Sequence, residues 1–328
     1  PPPTTSAAMD PDSEISFDFS PFLCQYKSGR VVRHGSNATV PAGTDPLTGV
    51  VSKDIHVGAA RARVYLPPGT AESPAKAKLP VIIYFHGGGF VVGSPADPSE
   101  HAYLNDLAAR AGAIGVSVYY RLAPEHPLPA AYEDCWAAVR WAATRADPWL
   151  LDHADLSRVF LAGCSAGANL AHNMAVRASA ASALPDGVTV RGLLAVHPYF
   201  NGTEAVGAEA ASLGPEVREH MDRAWRFVCP GSVGLDDPLV NPFADDDDDA
   251  RAAVARIPCE RVLVCAAEHD SRLKERALWY YRELKASGYA GEVDLFESKG
   301  VGHAFHLGKL HSEEGVELQQ RTVAFIRK

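Results

Sequence analysis

The sequence predicts an α/β fold, a mostly parallel central sheet flanked by helices, with lid elements from the N-terminus and from an inserted helical segment. Three observations carry this. Val81–Phe85, Val190–Val196 and Arg261–Ala267 are almost unbroken apolar runs, the pattern of strands buried on both faces of a sheet. Such runs alternate with helical patterns along most of the chain, which implies parallel strands joined by crossover helices. Val81–Phe85 and a further apolar run, Arg158–Ala162, also feed directly into glycine-rich turns, His86–Gly87–Gly88–Gly89–Phe90 and Gly163–Cys164–Ser165–Ala166–Gly167.

The elements follow in order. Pro1–Ala8 precedes the first methionine, Met9, and reads as a leftover extension set apart from the fold. Residues 9–328 are expected to form one domain, with lid elements at about 9–45 and 205–230 by these patterns. Ile15, Phe17, Phe19 and Phe22 space apolar groups along a segment too short to build its own core. Arg61–Leu66 alternates as a strand, and Thr70–Lys78 reads as a loop. Val81–Phe85 is a strand, His101–Ala111 a helix, Ile114–Tyr119 a strand, and Ala131–Arg145 a helix with Trp136, Val139 and Ala143 on one face. Arg158–Ala162 is the strand before the serine turn, and Ala166–Ala180 the helix after it. Val190–Val196 and Arg261–Ala267 are strands, Ser271–Ser287 a helix, Glu292–Phe296 the last strand and Glu313–Arg327 the closing helix. Ser212–Val228 is amphipathic and lies between two strands, as a cap helix would. The aspartate run within Ala244–Ala250 reads as a solvated acidic loop, because adjacent like charges repel and stay exposed.

Composition narrows the function classes. With 328 residues, 47% of them hydrophobic and 22% charged, the chain has the material for a large core. A formal net charge of −9 supplies no basic footprint for nucleic acid. No apolar run approaches the ~20 residues of a membrane helix, and no signal-peptide pattern is visible. Cys24, Cys135, Cys164, Cys229, Cys259 and Cys265 are dispersed without a Cys-x-x-Cys pair, as expected for reduced thiols. The expectation is a cytoplasmic protein, with nuclear access open, that acts on a small molecule without a metal or other cofactor. The oligomeric state is left open.

The two turns point to nucleophilic catalysis. A serine on a sharp strand-to-helix bend needs a base to take its proton and an acid to orient that base. Downstream of Ser165, one strand ends in Glu268–His269–Asp270 and the next leads to Gly300–Val301–Gly302–His303. Both lie past strand C-terminal ends, where open α/β sheets place ligands. Ser165, Asp270 and His303 are therefore the expected catalytic triad. Glu268 is the rival acid, and His306 and His269 are the rival bases. His303 is preferred because it follows Gly300 and Gly302 on a loop, whereas His306 sits in an apolar stretch. Backbone N–H groups of Gly87, Gly88 and Ala166 are the expected oxyanion hole. A phosphate-binding reading of the glycine run is weaker, since the spacing is not Gly-x-Gly-x-x-Gly. Glu125 and His126, in a proline-rich stretch, read as a structural loop.

At these residues the chain resembles the plant carboxylesterases of the hormone-sensitive-lipase-like branch of α/β hydrolases. The resemblance is carried by His86–Phe90, Tyr120–Pro127, Gly163–Asn169, Asp236–Leu239, Asn241–Pro242 and Gly302–Phe305, and it covers Met9 to Lys328. Tyr119 departs from it, because relatives often carry aspartate there. The resemblance implies hydrolysis of small, largely apolar esters with short acyl chains. Phe19 of the lid segment, and Phe90, Tyr120 and Phe305 within or beside the motifs, are the candidate substrate contacts. The same scaffold also serves non-catalytic gibberellin receptors, which lack the histidine, and 2-hydroxyisoflavanone dehydratases, which often carry threonine at the nucleophile. His303 and Ser165 favour the esterase.

Overall fold

Strand order brings the two glycine-rich turns to neighbouring strand ends of one sheet. The computed structural model describes residues 10–34, 38–58, 60–70, 78–180, 183–244 and 248–328. The expectations for the first eight residues and Met9, and for the centres of the 70–78 loop and of the aspartate run, lie outside them. Two units cluster separately, one ending at Ala38 and one spanning Thr39–Lys328.

In the first unit, β1 (Ile15–Phe19), β2 (Leu23–Tyr26) and β3 (Val31–Arg33) form an antiparallel sheet. This segment was expected to be a lid element without a core of its own. Phe17, Phe19 and Leu23 are buried, with Leu23 paired opposite Phe19.

The second unit contains an eight-stranded sheet. Its strands are β4 (Val51–Val57), β5 (Ala60–Leu66), β6 (Leu79–Phe85), β7 (Ile114–Tyr119), β8 (Ala154–Cys164), β9 (Val190–Val196), β10 (Arg261–Ala267) and β11 (Glu292–Ser298). Their spatial order is β11-β10-β9-β8-β6-β7-β5-β4. The six strands from β6 to β11 pair in parallel, and β5 joins β7 and β4 antiparallel. Val81–Phe85 and Arg261–Ala267 are buried at every position. Successive side chains face opposite sides, so both faces of the sheet centre are covered. The edge strands β4 and β11 alternate between buried and open instead. Helices Ala130–Ala143 and Ala166–Ala178 pack on one another and on the sheet. Pro98–Ala111 and Glu313–Arg327 form a second such pair.

β6 is flanked by β7 and β8, and from β8 the chain winds outward in the other direction to β9, β10 and β11. Such a reversal opens a crevice at the strand C-terminal ends. His86 and Ser165 immediately follow the two strands that bound it. The inserted helix Pro215–Val228 turns Met221, Ala224, Trp225 and Val228 inward, with the Trp225 ring edge-on to Phe90 at 6.2 Å.

Candidate active site

β8 runs straight into Ser165, which sits at φ 57°, ψ −120° and opens helix Ala166–Ala178. Side chains other than glycine rarely adopt this conformation, and here neighbouring strands over-determine it. The Ser165 N–H donates to Val196 O (2.9 Å), and the Tyr199 N–H donates to Ser165 O (3.1 Å). The flanking glycines are required by space. A Cβ on Gly163 would stand 2.2 Å from the Gly167 carbonyl carbon, and one on Gly167 would stand 1.9 Å from Phe85 O.

The glycine run lies against this turn, since a Cβ on Gly87 would meet Cys164 O at 3.1 Å and Ser165 Cβ at 3.5 Å. One expected donor is corrected. The Gly87 N–H donates to Glu100 Oε1 at 3.4 Å, because the left-handed bend begins only at Gly88 (φ 105°) and Gly89 (φ 60°). Among the described residues, the N–H groups of Gly88, Gly89 and Ala166 have no acceptor. Beneath the loop, Glu100 is buried and also accepts from Tyr84 Oη at 2.9 Å. Burial outweighs both hydrogen bonds and pushes its carboxyl up to about 7. His86 is buried and stacked on Tyr120 at 4.1 Å, and burial lowers its imidazole to about 4, so it stays neutral.

His303 Nδ1 lies 2.6 Å from Asp270 Oδ2. The Asp270 carboxylate also accepts from the backbone N–H groups of Arg272 and Leu273, at 3.3 and 3.1 Å. Burial raises this carboxyl, but the His303 hydrogen bond and the two backbone donors hold it below its ordinary value. The rival acid Glu268 is engaged elsewhere, accepting the Gly300 N–H at 2.8 Å. Of the rival bases, His269 is exposed. His306 is buried, with no partner for either ring nitrogen.

One strand end holds both halves of the site. Val196 O takes the Ser165 N–H, and the next residue, His197, accepts the Ala304 N–H at 3.0 Å on Nδ1. Ala304 follows His303 and sits at φ 53°.

Residues 82–307 match a family model described as the alpha/beta hydrolase fold. Tuliposide A-converting enzyme 1, chloroplastic, from Tulipa gesneriana is 41% identical over 96% of this chain and 79% of its own length. Probable carboxylesterase 2 from Arabidopsis thaliana is 40% identical over 96% of this chain and 97% of its own. The chain belongs to the carboxylesterases of the α/β-hydrolase family. A hyperthermophilic esterase from the archaeon Pyrobaculum calidifontis superposes with a TM-score of 0.65 at 30% identity, over 86% of each chain.

In this α/β hydrolase the candidate substrate contacts fall in different places. Phe90 (φ 65°) is buried against Tyr132, Tyr199 and Trp225. Tyr120 is buried and donates to His86 O at 2.8 Å, so it ties the start of the glycine loop to β7. Phe305 is half-buried beside His197, with ring centroids 5.9 Å apart. Phe19 belongs to the first unit. Glu125 and His126 are exposed on their turn. Tyr119, the departure from the family pattern, donates to Asp54 Oδ1 at 3.1 Å.

Sequence reasoning missed Glu100, His197 and Asn169. Asn169 donates to Tyr199 O (3.1 Å) and Leu239 O (2.6 Å), binding the nucleophile helix to the Asp236–Leu239 loop. His197 carried a usable signal, because it ends an apolar strand as His86 does. No helix among the described residues is long and apolar enough to cross a membrane.

Proposed function

We propose that this carboxylesterase hydrolyses small, largely apolar esters with short acyl chains through Ser165, His303 and Asp270. The observation that carries the reading is the 2.6 Å contact between His303 Nδ1 and Asp270 Oδ2. It leaves Nε2 as the imidazole atom that takes a proton from Ser165 Oγ. The serine oxygen then bonds to the ester carbonyl carbon, and the N–H groups of Gly88, Gly89 and Ala166 stabilise the developing oxyanion. Collapse expels the alcohol, which receives the proton from His303. Water, activated by the same imidazole, releases the acid from the acyl-enzyme. Asp270 orients the ring and stays ionised throughout, favoured by its three donors.

The test is an acyl series of nitrophenyl esters together with tuliposide A, on which two relatives act by name. Turnover should peak at about two to four acyl carbons. A serine-directed organophosphate should add to Ser165 and not to Ser165→Ala. Equal labelling of both proteins refutes the nucleophile, and absence of turnover on every ester refutes the activity.

The six cysteines are free and buried, which suits a reducing compartment. We place the enzyme in the cytoplasm. A fluorescent fusion found in plastids, the location in several relatives' names, refutes this.

A further inference from the structure

Behind the triad lies a buried group that the reaction does not use. Cys164, His197 and His306 each present a donor atom, and the three atoms lie within 4.8 Å of one another. They come from the ends of β8 and β9 and from the short helix Phe305–Gly308. All three side chains are nearly or fully buried, at 1% exposure each. Their polar atoms are unspent. His197 Nδ1 is taken by the Ala304 N–H, but its Nε2 has no partner, and neither ring nitrogen of His306 has one. Leaving such atoms dry costs about 1–3 kcal/mol each, so the cluster is an expensive feature unless something is bound by it.

We propose that Cys164, His197 and His306 form a three-donor site for a thiophilic divalent cation of the Zn²⁺ type, and that filling it switches the esterase off. One thiolate and two neutral imidazoles are a donor set suited to zinc, with a fourth position left for water. Bond lengths of about 2.3 Å to sulfur and 2.0 Å to nitrogen set donor atoms roughly 3.3–3.6 Å apart. The observed spread, at most 4.8 Å, contracts by up to about 1.5 Å when the ion binds. Burial pushes the Cys164 thiol well above its ordinary value and keeps both imidazoles neutral. Capture therefore breaks the S–H bond and sends one proton to solvent, the His197 proton moves from Nε2 to Nδ1 so that Nε2 can ligate, and a metal–sulfur bond forms with no change of oxidation state.

The effect on turnover follows from charge and from the loss of a tether. A divalent cation with one thiolate leaves a net positive charge, and His197 lies 5.6 Å from His303, ring to ring. That charge opposes the imidazolium that must form on His303 during attack. Coordination through Nε2 also puts the proton on His197 Nδ1, which then gives up the Ala304 N–H beside the base. Inhibition thus rests on His303 as the base, whereas binding does not.

The experiment titrates the intact protein with Cd²⁺ and reads thiolate-to-metal charge transfer in the near ultraviolet, without substrate. Ester turnover at the same free Cd²⁺ and Zn²⁺ is measured separately. One equivalent should give the band, and activity should fall with the same midpoint. Cys164→Ser and His306→Gln, which conserve volume, should each weaken binding by about tenfold or more. The other five cysteines remain in both variants. No band in the parent protein, or the same band in both variants, overturns the site. A band without inhibition supports the site and overturns its coupling to His303. Loss of all esterase activity before any metal is added counts against the triad alone.

Discussion

Replacing Glu100 by glutamine should change the pH dependence of stability rather than its ceiling. Glu100 is buried under the glycine loop, with Oε1 on the Gly87 N–H and Oε2 on Tyr84 Oη. Burial raises its carboxyl from 4.5 to about 7. Between those values the unfolded chain has already released this proton while the native state holds it, so stability falls as pH rises. Below the lower value both states are protonated, and above the upper one both are ionised, so the loss is confined to that window. At about 1.4 kcal/mol per pH unit, the displacement corresponds to roughly 3 kcal/mol. Glutamine has nearly the same shape. It can accept from Gly87 and donate to the Tyr84 hydroxyl, but it does not titrate. The difference in unfolding free energy between variant and parent should be small near pH 4.5, grow in the variant's favour and level off above pH 7, by about 3 kcal/mol in all. Buried His86, His172 and His306 also make stability pH-dependent, but they are common to both proteins and cancel in the difference. The assay is urea denaturation at half-unit pH steps. Parallel curves with a constant offset from pH 5 to 8 would refute the reasoning.

Three further outcomes are expected. Asp270→Asn should lower kcat by about 10³–10⁴-fold with little change in KM, because the ring loses the partner that orients it; steady-state kinetics with less than a tenfold loss contradicts this. Gly167→Ala forces a methyl to within 1.9 Å of Phe85 O, so strand β6 and the nucleophile helix must part. This costs about 2–3 kcal/mol or more, and an unchanged thermal midpoint would refute it. Arg276 and Glu209 form a 2.8 Å ion pair with each side chain 2% exposed. Glu209→Gln should destabilise by about 3–5 kcal/mol, whereas replacing both residues with apolar ones should recover much of that loss; denaturant midpoints of the parent and the two variants decide.

The positions proposed to carry the chemistry are marked in the sequence by local signals. Ser165, Asp270 and His303 each follow an apolar strand, and strand ends are marked by abrupt changes of composition. Helix Glu313–Arg327 and strands Ile114–Tyr119, Val190–Val196 and Arg261–Ala267 have the expected bounds for the same reason. Strand β8 extends beyond its expected range at both ends, because pairing with β6 and β9 holds residues whose own pattern is polar. The N-terminal sheet was missed because its strands are only 3–5 residues long, too short for a periodic signal.

What only the tertiary structure decided is which polar group meets which. Glu268 and Asp270 are two residues apart and chemically alike in sequence. The fold sends one carboxylate to the Gly300 N–H and the other to His303. Gly87 and Gly89 are interchangeable by composition, yet Glu100, thirteen residues downstream of Gly87, takes the Gly87 N–H and not that of Gly88 or Gly89. Cys164, His197 and His306 share no motif; β8 and β9 end side by side, and the helix Phe305–Gly308 brings His306 to them. Local patterning sets where the chain turns. The partners of a buried polar group are set by through-space packing, which a linear pattern does not encode.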